Sequence, residues 1–184
     1  MIPRFLSSKP IEDWSRTDWS HRVDSGTGET LAHAFALQGR LPPDFTHWDL
    51  HDGAGDTVAH YAGRAGFLPE DFHQWSMLNA RGWSVAHSTA ASKTGAFPDN
   101  FDQWSLNLDG MTVLGVLIMA GRALPDDFTQ HDYLDGNGDT IESLARRFQN
   151  PVVHAQLEAR RVSDAIESAR ENKETRSRIV RNVP

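Results

Sequence analysis

Three histidines, His33, His60 and His87, follow one another at intervals of 27 residues, each three residues after a hydroxyl: Thr30, Thr57 and Ser84. Imidazole is the commonest metal ligand and the usual acid-base group near neutral pH, so the spacing raises a metal site or a catalytic role. The same spacing argues against both. Residues that recur at one period belong to successive copies of a unit; packed helices stand about 10 Å apart, whereas zinc needs every ligand within about 2 Å. The series also stops after three members, with Gly115 and Ser143 in the fourth and fifth places. Thr30, His33, Thr57, His60, Ser84 and His87 are therefore expected to form a structural ladder, with no metal and no catalytic residue. An enzyme working through the histidines is the remote alternative.

Other chemistry-bearing stretches fare no better. Asp135-Gly136-Asn137-Gly138-Asp139 has acids at alternate positions like a calcium loop, yet Thr140 stands where that loop needs glycine and Arg146 where it needs glutamate. No phosphate-binding glycine loop, nucleophile elbow or His-Glu-x-x-His sequence occurs. With no cysteine there is no disulfide framework, thiol nucleophile or cysteine-ligated zinc. No cofactor is expected.

The elements that would hold the histidines are read from the repeat itself. The helix-opening hydroxyls Thr30, Thr57, Ser84, Thr112 and Thr140 are separated by 27, 27, 28 and 28 residues. Phe45, Phe72, Phe101 and Phe128 run at 27, 29 and 27, each followed three residues on by Trp48, Trp75, Trp104 or His131. Periods of this size signal solenoids, and the rings are expected to form the stacked core between units rather than a ligand cage.

Within the best copy, Asp52 to Trp75, Thr57 is a helix N-cap and Gly66 a C-terminal glycine. Leu68-Pro69 then predicts a second short helix with Phe72 and Trp75 on one face. The unit reads as helix, turn, short helix, loop. Residues 1–18, with Pro3, Pro10, Ile11 and Trp14, read as a lead-in and cap; the array spans 19–148. From Asn150-Pro151 the pattern changes. Val153, Leu157, Val162, Ile166 and Ala169 predict one face of an amphipathic capping helix, and beyond Glu171 the tail of segment 149–184 is polar and basic, open to being disordered, a second contact segment or an oligomerisation arm.

The tract Asp52-x-x-Gly55-x-Thr57-x-x-His60-x-Ala62-x-x-x-Gly66 resembles the ankyrin repeat. It recurs as Gly28-x-Thr30-x-x-His33 with Gly39, as Gly82-x-Ser84-x-x-His87 with Gly95, and more weakly around Thr112 and Thr140. The resemblance departs in two respects: Leu31, Val58, Val85, Val113 or Ile141 replaces the family's proline, and the unit is about five residues shorter than 33. It implies that each histidine bonds its own hydroxyl and neighbouring backbone. The resulting expectation is an all-α, ankyrin-like solenoid of about five short helix-turn-helix repeats with a C-terminal capping helix.

Charge and composition bound the partners. Residues 44–148 hold 15 acids and 6 bases, while the ends of the chain are near balance or mildly basic. Such a face repels phosphate backbones, so direct nucleic-acid binding is not expected. No apolar run approaches the roughly 20 residues that span a bilayer, and the N-terminus lacks an apolar signal region. A cytoplasmic protein is expected, with export into another cell left open.

Equivalent positions that differ between copies mark the expected reading face. The residue between Gly and Thr is Glu29, Asp56, Trp83, Met111 and Asp139; the residues near each helix-ending glycine include Gln38, Arg64, Lys93 and Met119. A partner protein is expected on Asp56, Arg64, Trp83, Lys93, Met111 and Met119, with Trp83 and Met111 as the apolar centre of an interface rimmed by charge. Trp83 packing on its own neighbours is the competing reading. The function expected is a non-catalytic scaffold, adaptor or inhibitor. The alternative is an acidic decoy that occupies a nucleic-acid-binding protein, of the kind mobile elements encode.

Overall fold

The computed structural model describes residues 17–126, 128, 130 and 133–181. Most of the expected lead-in, including Ile11 and Trp14, lies outside the described residues, as does His131. The fold is mostly helical: α1 (Leu31–Ala36), α2 (Val58–Ala65), α3 (Val85–Ala91), α4 (Val113–Met119), α5 (Ile141–Arg147) and α6 (Pro151–Arg181), with one small antiparallel sheet of β1 (Asn107–Leu108) and β2 (Met111–Thr112). None of the described helices is long and apolar enough to cross a membrane.

Cap chemistry starts each short helix. Thr30, Thr57, Ser84, Thr112 and Thr140 all sit in extended backbone immediately before α1 to α5. Helices of 6 to 8 residues are marginal alone, so stacking must hold them. Each packs on the next. Val58, Ala59, Ala62, Val85, Ala86, Ala90, Val113 and Leu114 are fully buried between them. Small residues set the approach: a Cβ on Gly63 would lie 2.3 Å from Thr89 Oγ1 in the neighbouring helix.

The first amides of the helices, which lack intrahelical partners, are satisfied by the preceding segment. Val58 N–H donates to Leu50 O at 2.9 Å and Ala59 N–H to Trp48 O at 3.1 Å. The pattern returns at Val85 to Met77 O and Ala86 to Trp75 O, 3.0 and 3.1 Å, and at Val113 to Leu106 O and Leu114 to Trp104 O, 3.1 and 3.2 Å. Each aromatic segment thus holds the start of the helix after it.

Ahead of each of α1 to α5 stands a hairpin-like turn, marked in four of the five by the bridges Arg22 to Thr30, His51 to Thr57, Leu78 to Ser84 and Leu134 to Thr140. In the fourth unit it widens into β1 and β2, a departure from the all-α expectation. Asp109 and Gly110 both have positive φ, 48° and 84°, the conformation of a tight two-residue hairpin turn.

The second helix of the expected unit is absent from the described residues. Leu68 to Met77 is a run of turns, in which Phe72 N–H donates to Pro69 O at 3.0 Å and Met77 N–H to Gln74 O at 3.1 Å. One turn is too short a nucleus to extend as a helix. Packing of the rings stabilises the segment instead. Trp19, Phe45, Trp48, Phe72, Trp75, Phe101, Trp104 and Phe128 meet edge to face in sequence, with centroids 4.6 to 5.7 Å apart.

Helix α6 covers α5 only with its first turns. Val153 is fully buried and Leu157 packs on the core. Gln156 brackets Leu124, accepting from its N–H at 2.9 Å and donating to its O at 3.0 Å. The expected apolar face then fails: Val162 and Ile166 are 58% and 51% exposed, because a straight helix leaves the body once α5 has ended. The helix runs on past Glu171 to Arg181.

Candidate partner-binding face

The histidines are fixed at both ring nitrogens. His33 Nε2 lies 3.2 Å from Asp56 O, His60 Nε2 3.0 Å from Trp83 O and His87 Nε2 3.1 Å from Met111 O. A carbonyl carries no proton, so Nε2 is the donor and Nδ1 accepts. Nδ1 faces its own unit's hydroxyl at 2.8, 2.7 and 2.7 Å. In the first two units it also takes the cap residue's N–H, at 3.2 and 3.4 Å. All three rings are buried, and burial holds each pKa below the ordinary imidazole value against the opposing pull of nearby acceptors. These are neutral struts from one unit to the hairpin of the next.

Each strut ends on the variable position of a hairpin. Asp56, Trp83 and Met111 are consecutive in that row because their carbonyls receive consecutive histidines. Their side chains differ in fate. Asp56 accepts from Asn79 Nδ2 at 2.6 Å and pairs with Arg64 at 2.9 Å. Burial raises its carboxyl pKa, and those two donors outweigh it, leaving the group below the usual carboxylate range. Trp83 and Met111 are half-buried and pack against the core, the Trp83 ring meeting His87 edge to face at 6.1 Å. The packing reading of Trp83 thus holds for part of its surface, and the rest faces solvent.

Arg64, Lys93 and Met119 lie at or just beyond the C-terminal ends of α2, α3 and α4. They make a second row, joined to the first by the Asp56–Arg64 pair. Arg64 also stacks over Tyr61, 4.9 Å from the ring centroid. The Tyr61 hydroxyl is shared between Glu29 Oε1 at 2.9 Å and Asp52 Oδ2 at 2.8 Å, so burial and both carboxylates push its pKa upward. Lys93 is exposed, and Met119 is 43% exposed.

Two features escaped sequence reasoning. Leu78 and Leu134, at the bases of their hairpins, are 57% and 59% exposed. An Asx residue also opens every hairpin: Asp24, Asp52, Asn79, Asn107 and Asp135 each accept at least one backbone N–H of the turn through Oδ1. Their spacing of 28, 27, 28 and 28 residues was visible, but the mixture of Asp and Asn hid it. Asp135 shows why the suspected calcium loop is a turn: its Oδ1 takes the amides of Asn137 and Asp139, both at 2.8 Å. Among the described residues no group of three or more His, Asp or Glu could hold a metal ion.

No protein-family model matches the chain, and no curated protein matches it.

Proposed function

We propose that the chain is a non-catalytic protein-binding module, an ankyrin-like solenoid of five short repeats ended by a C-terminal helix and working in the cytoplasm. The observation that carries this reading is the use of the histidines. Both nitrogens of each ring are engaged, Nδ1 with its own unit's cap hydroxyl and Nε2 with the next unit's hairpin, which supports a scaffold role for the residues best suited to chemistry. What varies between units is the hairpin row and the helix-end row. A partner protein seated there meets Trp83 and Met111 at the centre, with Met119 extending the apolar area and Asp56, Arg64 and Lys93 as a charged rim.

The test is affinity capture from native lysate with the wild-type chain and a Trp83→Ala, Met111→Ala chain. A protein recovered by the first and lost by the second, at unchanged circular dichroism, supports the reading. Equal recovery refutes it.

A second reading, an acidic decoy for a nucleic-acid-binding protein, is favoured by carboxylates on the proline turns that form no ion pair among the described residues, among them Glu70, Asp71, Asp99, Asp102 and Asp126. Its binding weakens steeply as salt rises several-fold; affinity that ignores salt excludes it.

A further inference from the structure

Two clefts open side by side along the turns that follow the helices. The smaller, about 400 Å³, lies between the Pro69 and Pro98 turns over Trp75 and Phe97. Its neighbour, about 570 Å³, lies between the Pro98 and Pro125 turns over Phe97, Phe101, Trp104 and Phe128. They share the wall Phe97 to Asn100. The walls are equivalent because the turns are: Phe72, Phe101 and Phe128 N–H donate to Pro69, Pro98 and Pro125 O at 3.0, 2.9 and 3.1 Å. These are one groove occurring in consecutive units.

Their charge has one sign. Glu70 and Asp99 stand on the two sides of the smaller cleft, and Asp99, Asp102 and Asp126 line the larger; among the described residues no Lys, Arg or His lines either. All four acids are exposed, and none is in an ion pair among the described residues. Aromatic rings flanked by paired carboxylates suit a guanidinium, whose plane stacks on a ring while its fork meets the carboxylates. Phe97 already carries one such group: Arg122 Cζ lies 5.9 Å from its centroid, held there by backbone acceptors including Thr89 O at 2.8 Å.

We propose that the paired clefts bind an extended segment of a partner protein with arginines three residues apart, one guanidinium in each cleft. The interval follows from the stacking. Neighbouring units lie about 10 Å apart, and a chain in the extended polyproline II conformation has three residues per turn and advances about 3.1 Å per residue, so every third side chain returns to the same face about one unit further on and meets a cleft. The chain's own tail has Arg170, Lys173 and Arg176 at that sequence spacing, but within α6 three residues advance only about 4.5 Å. An extended foreign segment fits the interval and a second copy's helix does not. This inference rests on the protein-binding reading but on a different surface, since no hairpin residue lines either cleft.

The test is fluorescence anisotropy at low and physiological salt with a labelled glycine-serine peptide bearing two arginines three residues apart, against an isomer with the arginines adjacent. The wild-type chain should prefer the spaced peptide by about tenfold. Asp99→Asn, on the shared wall, should weaken binding by about tenfold or more, since it removes one carboxylate from both clefts. Glu70→Gln and Asp126→Asn should each weaken it less, and Trp83→Ala with Met111→Ala not at all. Absence of binding at low salt, equal affinity for both peptides, or wild-type affinity in a folded Asp99→Asn chain overturns the proposal. So does self-association that Asp99→Asn abolishes while the peptide fails to bind, which would identify a second copy as the occupant. None of these failures touches capture through Trp83 and Met111, so the two readings fail separately.

Discussion

Replacing His60 with alanine tests the strut directly. The ring is fully buried; its Nε2 donates to Trp83 O at 3.0 Å, and its Nδ1 faces Thr57 Oγ1 at 2.7 Å. Truncation leaves the Trp83 carbonyl and the Thr57 cap without their partner, at about 1 to 3 kcal/mol for a buried polar group. It also opens a cavity between α2 and the following hairpin, in the range of large-to-small core changes, about 2 to 5 kcal/mol. The two losses overlap, so a total of about 3 to 5 kcal/mol is expected, a large share of a domain stability of about 5 to 15 kcal/mol. Urea unfolding of the full chain at neutral pH reads it as a fall in midpoint at unchanged slope. His60→Leu, which keeps most of the volume but not the hydrogen bonds, should fall between. His73→Ala is the control, because His73 is exposed and such changes stay within about 0.5 kcal/mol. If His60→Ala costs no more than His73→Ala, the strut is not what joins the units.

Acid should weaken the fold through the same rings. Burial holds the folded pKa values of His33, His60 and His87 below 6.5, so the unfolded chain binds protons first as pH falls. Their contribution is complete above about pH 6.5 and is lost below it, by up to about 1.4 kcal/mol per ring per pH unit. A urea midpoint no lower near pH 5 than near pH 7 would contradict neutral burial. Two glycines of equal backbone separate conformation from contact. Gly55 and Gly138 have φ of 81° and 79°, but at Gly55 a Cβ would fall 2.1 Å from Ala80 Cβ, while none of the described residues lies within 4 Å of one at Gly138. Gly138→Ala should cost about 1 to 2 kcal/mol from the left-handed conformation alone, and Gly55→Ala at least about 2 kcal/mol more; equal costs would mean the hairpins do not abut. In the last unit, Asn150 donates to Ile118 O and Arg122 O, both at 2.9 Å, and caps α6 through Val152 and Val153 N–H, both at 3.1 Å. Asn150→Ala should cost about 2 to 4 kcal/mol by urea unfolding, whereas removing α6 from Val162 onward, where residues 162–173 are exposed, should leave the midpoint nearly unchanged.

Local chemistry was legible where one residue type permits one role. A threonine after a glycine, three residues before a histidine, marked the helix starts, and the Phe and Trp periods marked the core rings. The second helix was misread because Phe72 and Trp75 are three apart both on a helix face and along a run of single turns; spacing does not separate the two, and Pro69 opens either. On α6 the apolar periodicity of Val162 and Ile166 was real, but whether a periodic face is covered depends on how far the body extends. At the candidate face, the variable row could be read from copy-to-copy differences. The pairing of Asp56 with Arg64 and the half-burial of Trp83 and Met111 could not, since both depend on the distance between a hairpin and the next helix.

Hydrogen exchange of the chain alone and bound to its captured partner tests whether a partner protein rests on the hairpin and helix-end rows. New protection is expected at the hairpins around Trp83 and Met111 and at the helix ends near Arg64, Lys93 and Met119. Protection confined to α6, with those rows exchanging as in the free chain, would contradict it.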